Sequence, residues 1–121
     1  MLAYLYVFIG GGLGSICRFG IGQALVAYKL TFPLATLLAN IFSCIILGML
    51  VGMSIRGDLS MNQRNLLMGG FCGGFSTFST FTNETFQLFQ IGEHFLAITN
   101  ILSSLLVCLL CIYIGLKIIG T

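Results

Sequence analysis

Gly69-Gly70-Phe71-Cys72-Gly73-Gly74-Phe75-Ser76-Thr77-Phe78-Ser79-Thr80-Phe81-Thr82 is the stretch that decides how this chain must be read. Paired glycines run straight into the five hydroxyls of Ser76, Thr77, Ser79, Thr80 and Thr82, in a chain of 121 residues that is 58% hydrophobic and 7% charged. Soluble domains carry about a quarter charged residues, so the expected solvent is a bilayer. Hydroxyls compete for backbone hydrogen bonds and glycines tolerate unusual backbone angles, and together they predict a helix interrupted at mid-membrane. Irregular backbone at that depth persists only where protein buries it or where it lines a wet cavity. Its freed carbonyls can coordinate a hard cation and its freed amides can face an anion; a kinked packing helix is the plainer alternative.

Outward from this stretch, the charges mark the rest of the organisation. Crossing a hydrocarbon core of about 30 Å takes roughly 20 apolar helical residues. Four runs qualify: about 2–28 with Arg18 inside it, 31–55, 65–89 with Glu84 near its end, and 95–119, which is uncharged as far as Leu116. Lys29, Arg56, Asp58, Arg64, Glu93, His94 and Lys117 fall between or after the apolar parts. No run alternates as a barrel strand does, so helices are the only way to satisfy the backbone in lipid. The expected fold is an all-α integral membrane protein: a single domain over 1–121, with four transmembrane helices, the third of them broken. Short connections make consecutive helices antiparallel and put both termini on one side. Arg56, Arg64 and Lys117 on that side against Lys29 on the other give a small bias toward cytoplasmic termini, compatible with one orientation or with both. The first run lacks a basic leader and is too long for a signal peptide, so it is expected to be retained. A net charge of +2 with scattered bases leaves no basic patch, and no nucleic-acid partner is expected.

Several side chains stand out against this apolar background. Gly10, Gly11, Gly12 and Gly14, and again Gly48 and Gly52, have the small-residue spacing that lets membrane helices approach closely. A phosphate-binding loop at Gly10–Gly14 fails, because no strand precedes it. Phe75, Phe78 and Phe81 recur every third residue and would share a face of an unbroken helix. Their electropositive ring edges, placed beside hydroxyl or amide donors, offer an anion contact without a full positive charge. Thr36, Asn40 and Ser43 form a polar stripe on the second helix, and Asn40 has two amide donors to offer either an anion or a neighbouring helix. Asn100 and Ser104 extend such a path or join helices. Arg18 is an intramembrane charge, a functional candidate by default, or else snorkels to the interface. Glu84 reads as interfacial. His94 is the sole histidine and cannot supply a multi-histidine metal site. The cysteines at 17, 44, 72, 108 and 111 lie in apolar runs as small packing residues.

The segment Gly70-Phe71-Cys72-Gly73-Gly74-Phe75-Ser76-Thr77-Phe78-Ser79-Thr80-Phe81 resembles the signature of the Fluc (CrcB-type) family of fluoride ion channels. Gly11, Gly12, Gly14 and Arg18, then Thr36 and Asn40, join it in the family's order, so the resemblance covers nearly the whole chain. It implies an antiparallel, dual-topology homodimer in the plasma membrane, exporting fluoride passively through two pores, with a central structural sodium ion. By the family pattern Gly73 and Ser76 hold the sodium through main-chain carbonyls. Phe78 and Phe81 are the pore-facing rings, Asn40 is an amide donor, and Thr36, Ser79 and Thr80 are hydroxyl contacts. Arg18 sits near a vestibule. The chain carries Ser76 where the family often has Thr, and Asn100 near a frequent Tyr. A small multidrug-type proton-coupled transporter is the architectural rival, but its chemistry generally wants an embedded acid that the first helix lacks. A thiol oxidoreductase using Cys108 and Cys111 would need an accessible thiolate, which a mid-helix, lipid-facing pair does not offer.

Overall fold

The computed structural model describes residues 1–120, and among them the chain is helical with no strand. Helix α1 spans Leu2–Leu25 and tightens into a 3-10 turn at Val26–Tyr28, which ends on Lys29 in the left-handed conformation. Helix α2 spans Leu34–Ile55. It starts three residues later than the apolar run, because Pro33 has no N–H to give and is tolerated only at a helix entrance. Helix α6 spans His94–Ile119 and ends on Gly120 at φ 90°. These three helices, the first counted through Tyr28, are long and apolar enough to cross a membrane.

The remaining stretch is helical in pieces. Ser60 opens it with a reciprocal capping box: its hydroxyl accepts from the Gln63 amide at 3.2 Å and Gln63 Oε1 accepts from the Ser60 amide at 2.9 Å. Helix α3 (Met61–Arg64) therefore begins four residues before the apolar run expected at 65. A wider, π-helical segment follows over Asn65–Cys72, then a short α4 at Gly73–Phe75. Ser76 and Thr77 are extended, with ψ of 157° and 118°. Helix α5 then runs Phe78–Gln90, with Thr77 as its N-cap. The glycine turns at Gly57 and Gly92, both at positive φ, set off this stretch from α2 and α6.

Two glycine seams assemble the helices. A Cβ added at Gly10 would land on the Leu66 carbonyl oxygen, one at Gly14 on that of Phe71, and one at Gly74 on that of Gly11. The residue numbers rise together, so α1 and the Asn65–Phe75 stretch run parallel. In the second seam a Cβ at Gly48 would strike the Ile112 carbonyl and one at Gly115 the Ile45 carbonyl. Arg56 Nη1 donates to the Ile119 carbonyl at 2.8 Å farther along, so α2 and α6 are parallel too. Such backbone contact is the main source of helix association where lipid removes the hydrophobic drive. The buried apolar set is correspondingly small (Ala39, Leu50, Cys72, Phe75, Leu88, Ala97 and Cys111), while Tyr4, Phe8, Ile16 and Leu109 point outward. The Arg56–Asp58 pair at 3.5 Å is exposed and contributes little.

The seams can be tested by adding one methyl group. Gly14→Ala should destabilise the detergent-solubilised protein by about 1–3 kcal/mol through overpacking against rigid backbone. Gly20→Ala, where a Cβ meets nothing within 4 Å, should be neutral or slightly stabilising. Equal thermal midpoints for the two variants would remove the seam.

Candidate functional site

The interruption at Ser76 and Thr77 organises the polar groups of the chain. In an unbroken helix the Thr77 amide would bond to the Gly73 carbonyl; here it donates to Asn40 Oδ1 at 2.9 Å. Asn40 Nδ2 faces the Thr77 carbonyl at 3.5 Å, so one side chain of α2 grips both polar groups of the same residue. The Thr80 amide, which would serve the Ser76 carbonyl, donates instead to Thr77 Oγ1 at 3.2 Å. The carbonyls of Gly73 and Ser76 thereby lose their helical partners. Cys72, just before the break, has the opposite fate: its carbonyl accepts from Ser76 Oγ at 2.9 Å and from the fully buried Ser43 Oγ at 3.0 Å. Arg18 Nε donates to the Gly74 carbonyl at 3.2 Å, placing a cation at the C-terminal end of α4, where helix carbonyls are electronegative.

Two clefts flank the break. The first, about 220 Å³, is lined by Asn40, Ser76, Thr77, Phe78, Phe81 and Ser104, together with Cys44, Leu105 and Cys108. Its two rings lie 5.7 Å apart at 43°, and Phe78 is 75% exposed. The second, about 200 Å³, brings Arg18, Thr36 and Thr80 together with Gln23 and Glu84. Asn40, Ser76, Phe78 and Phe81 thus line one cleft and Arg18, Thr36 and Thr80 the other, and Gly73 lines neither. Ser79 belongs to neither; it is exposed, with its hydroxyl 3.4 Å from Thr77 Oγ1.

Some expectations change in three dimensions. Phe75 does not share a face with Phe78 and Phe81, because the extended residues between them reset the helical phase. Its ring is buried edge-on against Phe71 at 5.5 Å, a packing contact. Glu84 lines the second cleft and also faces the α1–α2 connection near Lys29 and Pro33, and its Oε1 is buried with no hydrogen-bond partner among the described residues. Its spacing of four from Thr80 was the available signal. Asn100 is 2% exposed and joins helices, Nδ2 donating to Thr85 Oγ1 at 2.8 Å, while Thr85 Oγ1 donates to the Phe81 carbonyl at 2.8 Å. Ser104 Oγ lies 3.4 Å from Asn100 Oδ1, and Ser104 lines the first cleft.

The model of the family described as CrcB-like protein, Camphor Resistance (CrcB), matches residues 5–116. This chain belongs to the CrcB family. A relative from Pyrococcus abyssi is 46% identical over 112 residues, covering 92% of this chain and 90% of its own length. One from Francisella philomiragia is 39% identical over 119 residues, covering 94% and 92%. Another, from Pyrococcus furiosus, is 42% identical over 110 residues, covering 90% and 89%. All three bear the name fluoride-specific ion channel FluC. Every residue of the break and of the two clefts lies within the CrcB match.

The grip of Asn40 on Thr77 has a direct readout. Asn40→Ala leaves a shielded amide without its acceptor and should cost about 1–3 kcal/mol. Hydrogen exchange at the Thr77 amide should accelerate in that variant, and an unchanged rate would show that another group holds it.

Proposed function

We propose that this chain is a fluoride-selective channel that exports cytoplasmic fluoride passively across the plasma membrane. The observation that carries the reading is the first cleft: a break in the backbone, an amide side chain, two aromatic rings and a serine hydroxyl converge on one space without a formal charge. Hydroxyl and amide donors replace water around a small anion, and ring edges contribute a further positive potential. The positive end of α5 begins at the same place. The names borne by the relatives agree with this chemistry.

The chain in this reading crosses the bilayer four times, with Met61–Phe75 and Phe78–Gln90 as the two halves of a third crossing broken at mid-membrane. Two copies pair antiparallel, each inserted the opposite way, and enclose two pores. The exposure of Phe78 supports this, since a ring in the middle of a span needs cover from protein if it is to line a wet path. So does the meagre charge bias between the two sides. Membrane potential suffices as the driving force, at about 2.3 kcal/mol per charge per 100 mV.

A structural sodium ion fits the donors of the break. The Gly73 and Ser76 carbonyls are uncharged oxygen donors freed from helical bonding, the kind of ligand a hard cation takes. Gly73 is exposed and a Cβ there would meet nothing within 4 Å, so a second copy can approach its backbone. Bound there, sodium would satisfy carbonyls that neither chain satisfies alone. Asn40, Thr36, Ser79, Thr80, Phe78 and Phe81 are the residues assigned to the anion, and Arg18 is assigned to holding the break rather than to the anion.

Efflux measured with a fluoride electrode on proteoliposomes, under an imposed potential and against chloride, tests the reading. Phe81→Ile should slow fluoride efflux at least about tenfold, the loss of one contact of about 1.4 kcal/mol, while the dimer persists on size exclusion. Wild-type flux in that variant would tell against the ring's role. Replacing sodium with an organic cation should lower the dimer's thermal midpoint, as removal of any native-state ligand does. Ser76→Ala should keep that sodium response, because the ligand is the main-chain carbonyl; a lost response would move the role to the hydroxyl.

A further inference from the structure

Two thiols inside the first cleft have no part in the anion chemistry. Cys44 of α2 and Cys108 of α6 both line it, beside Asn40, Phe81 and Ser104. The glycine seam explains why they meet. A Cβ at Gly48 would come within 3.1 Å of the Gly115 Cα, so the two backbones touch there. The same Cβ would strike the Ile112 carbonyl; Cys44 lies one turn before Gly48 and Cys108 one turn before Ile112, so the parallel helices bring the two thiols to one level. Both are free, and both are half-buried rather than sealed.

The donor count limits what such a pair can bind. Among the described residues no three His, Cys, Asp or Glu side chains are placed to hold a metal, which leaves no tetrahedral zinc site. A facing pair of sulfurs with no third strong donor suits a soft cation content with two ligands, such as Cu(I) or Ag(I). We propose that Cys44 and Cys108 form a two-sulfur site for a soft monovalent d10 cation within the first cleft. One S–H bond breaks and its proton leaves to bulk solvent. That sulfur binds as thiolate and the other donates a lone pair as thiol, with no change of oxidation state. The complex is neutral, which the largely apolar wall of the cleft favours over a net charge. An ion held there occupies the space beside Phe81 and stops anion passage; this consequence rests on the proposed pathway, whereas the binding does not.

Silver nitrate titration of the purified protein in chloride-free buffer, followed by the sulfur-to-silver charge-transfer absorbance, tests the site. In a chain carrying Cys17→Ser, Cys72→Ser and Cys111→Ser, one silver ion should bind per subunit. A further Cys44→Ser or Cys108→Ser should weaken it by more than about a hundredfold, the upper end of what even outer-sphere partners cost. Undiminished binding in either variant overturns the site. Should the triple background not fold, Cys44→Ala and Cys108→Ala in the otherwise native chain must each lose the tightest equivalent, and retention of it is equally fatal. On proteoliposomes, silver should arrest fluoride efflux by the native chain and spare the Cys44→Ser chain. Stoichiometric binding without arrest overturns the site's place on the pathway, and absence of fluoride efflux before any silver is added counts against the channel reading alone.

Discussion

A main-chain amide shielded from water must find an acceptor, and at Thr77 the acceptor is the Asn40 side chain at 2.9 Å rather than a carbonyl one turn back. From that exchange the rest follows. Released from Thr77, the Gly73 carbonyl is available to something outside its own helix. Thr77, now extended, turns its hydroxyl to the Thr80 amide and starts a new helix at Phe78. Because the chain leaves helical angles for two residues, the rings of Phe78 and Phe81 are rotated away from the Phe71–Phe75 contact and come to face α2 and α6. A continuous helix through this point would have buried or exposed all four rings by phase alone.

The glycine seams keep the break from closing up. An interrupted helix in lipid would gain by re-forming its hydrogen bonds, so its flanks have to be held in register by something that cannot slide. Gly10, Gly14 and Gly74 lock the Asn65–Phe75 half to α1 by backbone contact, and Arg18 fixes its Gly74 carbonyl. The α5 half is held separately, through Asn100 and Thr85, to α6. Asn40 then bridges two halves that different helices have already positioned. The break is thus positioned from three neighbouring helices, α1, α2 and α6.

Much of this was legible locally and little of it at long range. Hydroxyl density from Ser76 to Thr82 marks where the backbone departs from helix, because the competing side chains sit next to the bonds they disrupt. Three of the long apolar helices could be read from run length alone. The starts of α2 and α3 could not, since hydropathy is blind to Pro33 and to the Ser60–Gln63 capping box; both signals are in the sequence but belong to helix-end chemistry. Asn40 could be placed on a polar face, yet not on Thr77, which lies 37 residues away. Arg18 and Gly74 are 56 apart, so a charge that reads as snorkelling proves to be a backbone clamp. The period of three that links Phe75 to Phe78 and Phe81 holds only for an unbroken helix, and Ser76 and Thr77 are extended.

The absence of formal charge in the first cleft has a quantitative meaning for throughput. A lysine ammonium about 4 Å from an anion there, at an effective dielectric of about 20, would add roughly 4 kcal/mol of attraction. At 1.36 kcal/mol per decade that holds the anion about a thousandfold longer per visit. Amide, hydroxyl and ring-edge dipoles offer smaller increments that several groups share, so an ion can be exchanged from one to the next without a deep minimum. Arg18 would be such a trap if it lined the first cleft, and its guanidinium is instead committed to the Gly74 carbonyl and lines the second cleft. If the first cleft is the pathway proposed above, the dipoles around Asn40, Phe78, Phe81 and Ser104 are left to set the anion's passage.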